Sequence, residues 1–471
     1  MRGRTKGLLF FIFLLLPLLS GCQAVILSTK PALEEEGELY VYMDSFPPSG
    51  ERLKFSLTGI FAVREDERSF PLSPSRTEMT PDIMKRQHLL AAGPLPPGRY
   101  VGIAFEVKNA FLKSEEGYSR LLTADAPVQN NFRFEIKRKR ALAVSLALKP
   151  SDSVQEGFRF VPAFSFALPP KPLLALTGYV SNSRDNNITV FDKKSGRVGG
   201  VIATGKNPTG MAIDQARRQA YVALTEEDAI DVIDMQAGEV VNRIGLQSRD
   251  APQEIALSPD GRTLLAISKD SDILSVIEPL SLTEESRITV GNGPAAIAID
   301  RNGQRAYVFN SLSNSLSVID IPSRTVVATV ATDPAPLRGE FNGRGDKLYI
   351  AHEWSSYLTV LDTSSLSLVK RAYIGQGISY MKLDTRTDML YTSRKSSSTV
   401  EGYDPFSLLP ADYFNLGGEV SHMAIDREEG NFFFVLPGNG IIRAVHPTSK
   451  EIVFEIDTGE APYRVTMMGE R

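Results

Sequence analysis

The stretch "IDRNGQRAYVFNSLSNSLSVID" (Ile299–Asp320) holds two apolar bursts, AYVF and LSVID. A Ser/Asn loop separates them and an Asn-Gly turn precedes them. Taken alone it reads as a β-hairpin, because residues of one kind recur every second position and turn formers bound each run. It is not alone. Equivalent strand ends fall at Asp192, Asp234, Glu278, Asp320, Asp362, Asp404 and His446, spaced 42, 44, 42, 42, 42 and 42 residues apart. A large ring or Leu precedes each end by 13 positions: Tyr179, Tyr221, Leu265, Tyr307, Tyr349, Tyr391 and Phe433. A further anchor stands at Pro208, Pro252, Pro294, Pro336, Ile378 and Val420. The two extra residues of the long interval fall in "IGLQSRDAP", a connection, so strand register is kept.

Each unit therefore holds four short strands, such as PAAIAID, AYVFN, SLSVID and TVVATV. A four-stranded antiparallel unit cannot bury both faces by itself, whereas units stacked radially bury both. The first unit lacks its opening strand. "APYRVTMM" at the end of the chain supplies one, with Pro462 in register. This predicts an all-β chain whose C-terminal strand closes a seven-bladed β-propeller over residues 169–471 and leaves no free inner edge.

The motifs YVSN (179–182), YVAL (221–224) and YVFN (307–310), with their VID or VLD ends, resemble the YVTN-type propeller repeat family. The resemblance covers about 300 residues and implies the fold. It leaves activity open, since propellers host many functions.

Upstream, residues 38–168 alternate at period two in ELYVYMDSF, RLKFSLTGIFAV, RYVGIAFEV, FRFEIKRKRALAVSLALK and FRFVPAFSF. These strands predict a β-sandwich. "TPDIMKRQHLLAA" is at most one or two helical turns. "LPPGRY" (Leu95–Tyr100) is a turn in which two prolines fix φ and Gly98 takes a conformation other residues resist. The pattern resembles the prealbumin-like sandwiches of bacterial secreted proteins. "KRKR" (Lys137–Arg140) reads as a solvated hairpin tip between two strands, in preference to a phosphate or lipid-headgroup patch, and the three prolines of "SFALPPKPLL" (Ser165–Leu174) as a linker.

The N-terminus carries a basic MRGRTKG followed by the apolar LLFFIFLLLPLL and Leu19-Ser20-Gly21-Cys22. This is the order of a signal peptide (1–21), and small residues before the cysteine resemble the bacterial lipobox. Cys22, the single cysteine of the chain, is then the lipidation site, and residues 22–37 form a tether. The resemblance implies a membrane anchor of two or three acyl chains. Gln23 after the cysteine favours the outer membrane in a Gram-negative cell. The formal net charge of -4 argues against nucleic acid as a partner, because phosphate backbones need a strongly basic surface.

No glycine-rich phosphate loop, HExxH motif or second cysteine is present. No cofactor or metal site is expected, the histidines (His88, His352, His422, His446) being far apart in the chain. SPDGR (Ser258–Arg262) and NGRGD (Asn342–Asp346) are tight-turn sequences. The innermost strands are more informative. Two positions after the anchor stand Gly210, Glu254, Ala296, Arg338, Tyr380, His422 and Arg464; four positions after it stand Ala212, Ala256, Ala298, Glu340, Lys382, Ala424 and Thr466. The alternate positions are mostly apolar and predict packing between blades, which leaves the first two sets to line the channel. Arg338, Tyr380, His422 and Arg464 belong to consecutive blades and form a positive arc, with Glu254, Glu340 and Lys382 close by. The arc suits a small anionic ligand, or the charges pair among themselves. Trp354, in the loop "HEWSS", either offers a separate contact for a protein partner or packs on a neighbouring blade's rim. The expected function is binding without catalysis. The alternative is a lactonase-like hydrolase with His422 as general base and Arg338 and Arg464 holding the substrate. A quinone-dependent dehydrogenase ranks third, since the chain has one Trp and lacks tryptophan-rich docking motifs.

Overall fold

The computed structural model describes residues 30–268, 270–428 and 430–470. Cys22 and the apolar segment before it lie outside the described residues. Among the described residues no helix is long and apolar enough to cross a membrane.

From Thr177 onward the chain forms seven four-stranded antiparallel sheets among the described residues. The fifth illustrates all of them: Pro336–Phe341, Lys347–His352, Tyr357–Asp362 and Leu368–Tyr373, paired in sequence order. The first sheet contains Thr177–Asn182, Asn187–Asp192 and Val198–Ala203, and its fourth strand is Pro462–Met467. That strand pairs antiparallel with Thr177–Asn182, setting Val180 opposite Val465 and Ser181 opposite Arg464. The two ends of the region are thus joined by main-chain hydrogen bonds. The opening strands of consecutive sheets pack on one another in cyclic order, the seventh meeting Pro462–Met467 and that strand meeting Pro208–Asp214 of the second.

The recurring ring residue explains why the sheets stack. Tyr179, Tyr221, Leu265, Tyr307, Tyr349, Tyr391 and Phe433 are all buried, and each sits in a different apolar cluster that joins one sheet to the next. Tyr221, for example, packs with Ile230 and Ile244 of its own sheet and with Ile255 and Leu264 of the following one. Burying a large side chain of this kind contributes roughly 1.5–3 kcal/mol. The recurring acid at the end of each third strand is a turn cap. Asp234 accepts the backbone N–H groups of Gln236 and Ala237 at 2.8 and 2.7 Å, and Asp362 those of Ser364 and Ser365 at 3.0 and 2.8 Å. His446 does the same with Nδ1, accepting from Ser449 at 3.2 Å. The Asn of YVSN and YVFN is a clamp onto the next strand: Asn182 donates to Asn187 and Thr189, and Asn310 to Ser315 and Ser317.

Residues 37–167 form a five-stranded sheet and an eight-stranded sheet around one apolar core that includes Leu39, Phe55, Tyr100, Phe105, Val144 and Phe160. "TPDIMKRQHLLAA" forms a turn and then the strand His88–Leu95, not a helix. Tyr100 donates its hydroxyl to the Pro96 carbonyl at 2.8 Å, closing the LPPGRY turn on itself. Lys137–Arg140 is the turn between Val128–Ile136 and Ala141–Leu148.

Strand Gly37–Met43 is buried on both faces. Leu39, Val41 and Met43 point into the core of their own region. Tyr40 and Tyr42 join the cluster between the seventh and first sheets, with Phe191, Phe433 and Val465. Polar contacts flank this seam. Asn187 donates to the Tyr40 hydroxyl at 2.6 Å. Asp457 holds Arg86 at 2.6 Å, His88 Nδ1 at 2.9 Å and the Leu89 N–H at 3.1 Å.

Candidate functional site

The opening strands bring the divergent polar residues to one place. In six of the seven strands an irregularity of register falls just after the anchor, as between Pro336 and Arg338 or Ile378 and Tyr380. Such a bulge re-aims the side chains that follow it. The Arg338 guanidinium lies over the Tyr380 ring, 4.3 Å from its centroid. The Tyr380 and His422 rings are 4.5 Å apart, tilted by 48°. Arg464 continues the series and donates to Glu254 at 2.5 Å. Gly210 lets the second sheet come close to the third at this level, because a Cβ there would meet the Gln253 carbonyl at 2.6 Å. Gly339 has a different cause: it replaces an apolar side chain where the Phe309 ring already fills the space.

The neighbouring layer holds Glu340, 3.5 Å from Arg338, and Lys382, which donates to Glu470 at 3.4 Å. These six charged side chains keep between 11% and 19% exposure. The positive arc expected from the sequence is therefore compensated. Three cations face three carboxylates, and Glu470, from the segment after the last strand, supplies the third. Tyr380 also departs from the expectation of a purely channel-facing residue: it is buried in the cluster between the sixth and seventh sheets.

The electrostatics follow from burial and proximity. Burial disfavours the charge on Arg338, but Tyr380, Glu254 and Glu340 outweigh it and raise its pKa. Burial opposes the Lys382 charge too, and Glu340 and Glu470 prevail. His422 has no such support. Burial first, and then Arg464, Arg338 and Lys382, push it well below the ordinary imidazole range, so it is neutral at physiological pH. Neither of its ring nitrogens has a hydrogen-bond partner among the described residues, and the same holds for Nε of Arg338 and of Arg464. Buried polar atoms without partners cost roughly 1–3 kcal/mol each unless something else meets them.

Trp354 is not part of this cluster. It is 63% exposed in the loop between the second and third strands of the fifth sheet. The neighbouring Glu353 pairs with Lys395 of the next loop at 2.5 Å. His352 takes the position of the clamp Asn. It is buried, meets the Tyr357 carbonyl through Nδ1 at 3.2 Å, and is pulled down to about 4 by burial. The NGRGD segment is a closed turn, with Asn342 bonded to Asp346 at 2.7 Å. No group of three or more His, Cys, Asp or Glu residues is placed to hold a metal ion among the described residues.

The cyclic sheets and shared inner layer define a β-propeller. Residues 179–386 match the YNCE-like beta-propeller family. A functionally unknown protein from Desulfotomaculum acetoxidans DSM 771 is similar in structure, with a TM-score of 0.54 and 16% identity over 62% of this chain and 98% of that one. The dihydro-heme d1 dehydrogenase NirN, solved in complex with DHE, gives a TM-score of 0.51 and 14% identity over 64% of this chain and 78% of that one. At these identities the likeness is one of fold. A search of curated proteins finds no match for the chain.

Proposed function

We propose that this chain is a lipid-anchored cell-envelope protein whose propeller binds a small anionic molecule in its channel. On this reading the seven sheets are the seven blades of a YVTN-type propeller closed by Pro462–Met467. Residues 38–168 are a prealbumin-like sandwich docked on it, and Cys22 carries the lipid, in the outer membrane of a Gram-negative cell.

The observation that carries the ligand reading is the set of orphaned donors. Arg338 Nε, Arg464 Nε and both nitrogens of the neutral His422 are buried without hydrogen-bond partners among the described residues, Arg338 Nε having only the longer 3.5 Å approach of Glu340. A carboxylate or phosphate would take the two Arg N–H groups. A hydroxyl on the same molecule would meet the imidazole, which donates at one nitrogen and accepts at the other. Sugar acids combine both features.

The lactonase-like alternative uses the same residues, with His422 as base. It stands second because no carboxylate orients the ring or raises its basicity.

The test is calorimetric titration of the full chain carrying Cys22→Ser with sugar acids, their lactones and inorganic phosphate. Binding should occur without turnover. Arg338→Ala with Arg464→Ala should weaken it at least a hundredfold, and Trp354→Ala should leave it unchanged. Silence across the panel would favour a protein partner at the Trp354 loop. Release of lactone product would promote the hydrolase.

A further inference from the structure

A cavity of different composition is lined by none of the inner-strand residues Arg338, Tyr380, His422 and Arg464. A cleft of about 830 Å³ runs between the sandwich hairpin, the proline-rich linker and the outer edges of the first two sheets. This is within the usual size range of small-molecule sites. Its walls are apolar, with Leu142 from the sandwich, Leu168 and Leu173 from the linker, and Val201, Ile202 and Met235 from the sheets. Leu168 and Leu173 are 58% and 73% exposed beside it.

Two adjacent glycines shape the floor. Gly199 is covered, for a Cβ there would meet the Pro172 ring at 2.4 Å. Gly200 is open, with nothing within 4 Å of the same position. The prolines of the linker have no N–H to pair with this outer strand, so the linker arches over the edge without joining the sheet.

The rim is charged and uneven. Lys137, Arg140, Lys171 and Arg218 face two acids, Glu135 and Glu239. Arg140 is committed to Glu239, and Lys171 donates to the carbonyls of Gln236 and Ala237 at 3.2 and 2.9 Å. Lys137 and Arg218 are exposed and have no ion-pair partner among the described residues. An apolar trough with free cations at its mouth complements a molecule with an alkyl body and an anionic head.

We infer that the cleft between the linker and the first two sheets binds a single-chain anionic amphiphile of the fatty-acid class, with the chain over Gly200 and the carboxylate at Lys137 and Arg218. This site does not depend on the channel reading.

The probes are octanoate, decanoate and dodecanoate, titrated below their micelle concentrations into the full chain carrying Cys22→Ser, which removes any acyl group attached there as a competitor. Affinity should rise about tenfold for each two methylenes, the equivalent of ~0.8 kcal/mol per CH₂. Gly200→Leu fills the floor and should cost at least tenfold for dodecanoate. Lys137→Glu with Arg218→Glu should cost a similar factor for dodecanoate and little for dodecanol, and these surface changes leave the fold intact. Affinity independent of chain length, unaffected by both variants, or equal for dodecyltrimethylammonium would overturn the assignment. So would binding to phosphatidylglycerol vesicles without binding to the free acids, since that describes a membrane-facing surface.

Discussion

Two sets of polar residues recur through the sheets, and they behave in opposite ways. The residues that end the third strands are alike, from Asp192 to Asp404, and each is satisfied by its own turn. The residues two positions into the opening strands differ from sheet to sheet, and three of them, Arg338, His422 and Arg464, leave buried atoms unmet. Repeated polar chemistry in this chain is local and structural. Polar chemistry that breaks the repeat stands where sheets meet, and at Arg338, His422 and Arg464 it leaves atoms unmet.

The largest effect that would sharpen the contrast lies at Lys193, which breaks the repeat but is fully satisfied. Its buried Nζ reaches Asp426 at 3.0 Å, Glu428 at 2.9 Å and the Met468 carbonyl at 2.9 Å, tying the first sheet to the seventh and to the end of the last strand. Lys193→Met matches the apolar residues found there in other repeats, such as Met235 and Ile321. It leaves the buried carboxylate of Asp426 without its lysine, so urea denaturation should show a loss of about 3–5 kcal/mol. A loss under 1 kcal/mol would show that closure does not depend on this charge.

The next effect is a pH dependence at His352. Its pKa is about 4 in the folded chain against an ordinary value near 6.5. The unfolded chain binds the extra proton first, so the stability His352 contributes is present above pH 6.5 and is lost as pH falls toward 4. The difference amounts to on the order of 3 kcal/mol. His352→Asn restores the clamp seen at Asn182 and Asn310. It should flatten the stability profile between pH 6.5 and 4.5 in denaturation experiments, and an unchanged slope would remove His352 from the account.

The smallest effect belongs to the repeated set. The Asp362 carboxyl is held down to about 2 by the hydroxyl and N–H groups of Ser364 and Ser365. Asp362→Ala should lower the melting temperature only slightly and leave ligand affinity in the channel untouched. A change in that affinity would blur the division between the two sets.

The sequence made the strands legible because each blade's signals are local. Ring anchor, turn acid and proline lie within one repeat, and each acts on its own sheet or the next. It also nominated Arg338, Tyr380, His422 and Arg464, since equivalent positions in a stack share a level. It did not show how the charges settle. Arg464 meets Glu254 across 210 residues, and Glu470 follows the last strand outside any repeat position. It also missed the seam between the regions. ELYVYM reads as an alternating strand, yet Tyr40 and Tyr42 are as buried as Leu39 and Val41. The signal was the lack of charged residues after Glu38 in that run, which marks a strand covered on both faces.

The sequence by itself determined the period, the strands, the turns and the level at which divergent side chains stand, because hydrophobic alternation and turn chemistry act over a few residues. Only the tertiary structure decided which charges cancel, which donors are left without partners, and where the linker arches to leave a cleft. Those outcomes depend on distances between residues hundreds of positions apart, and ring closure sets those distances.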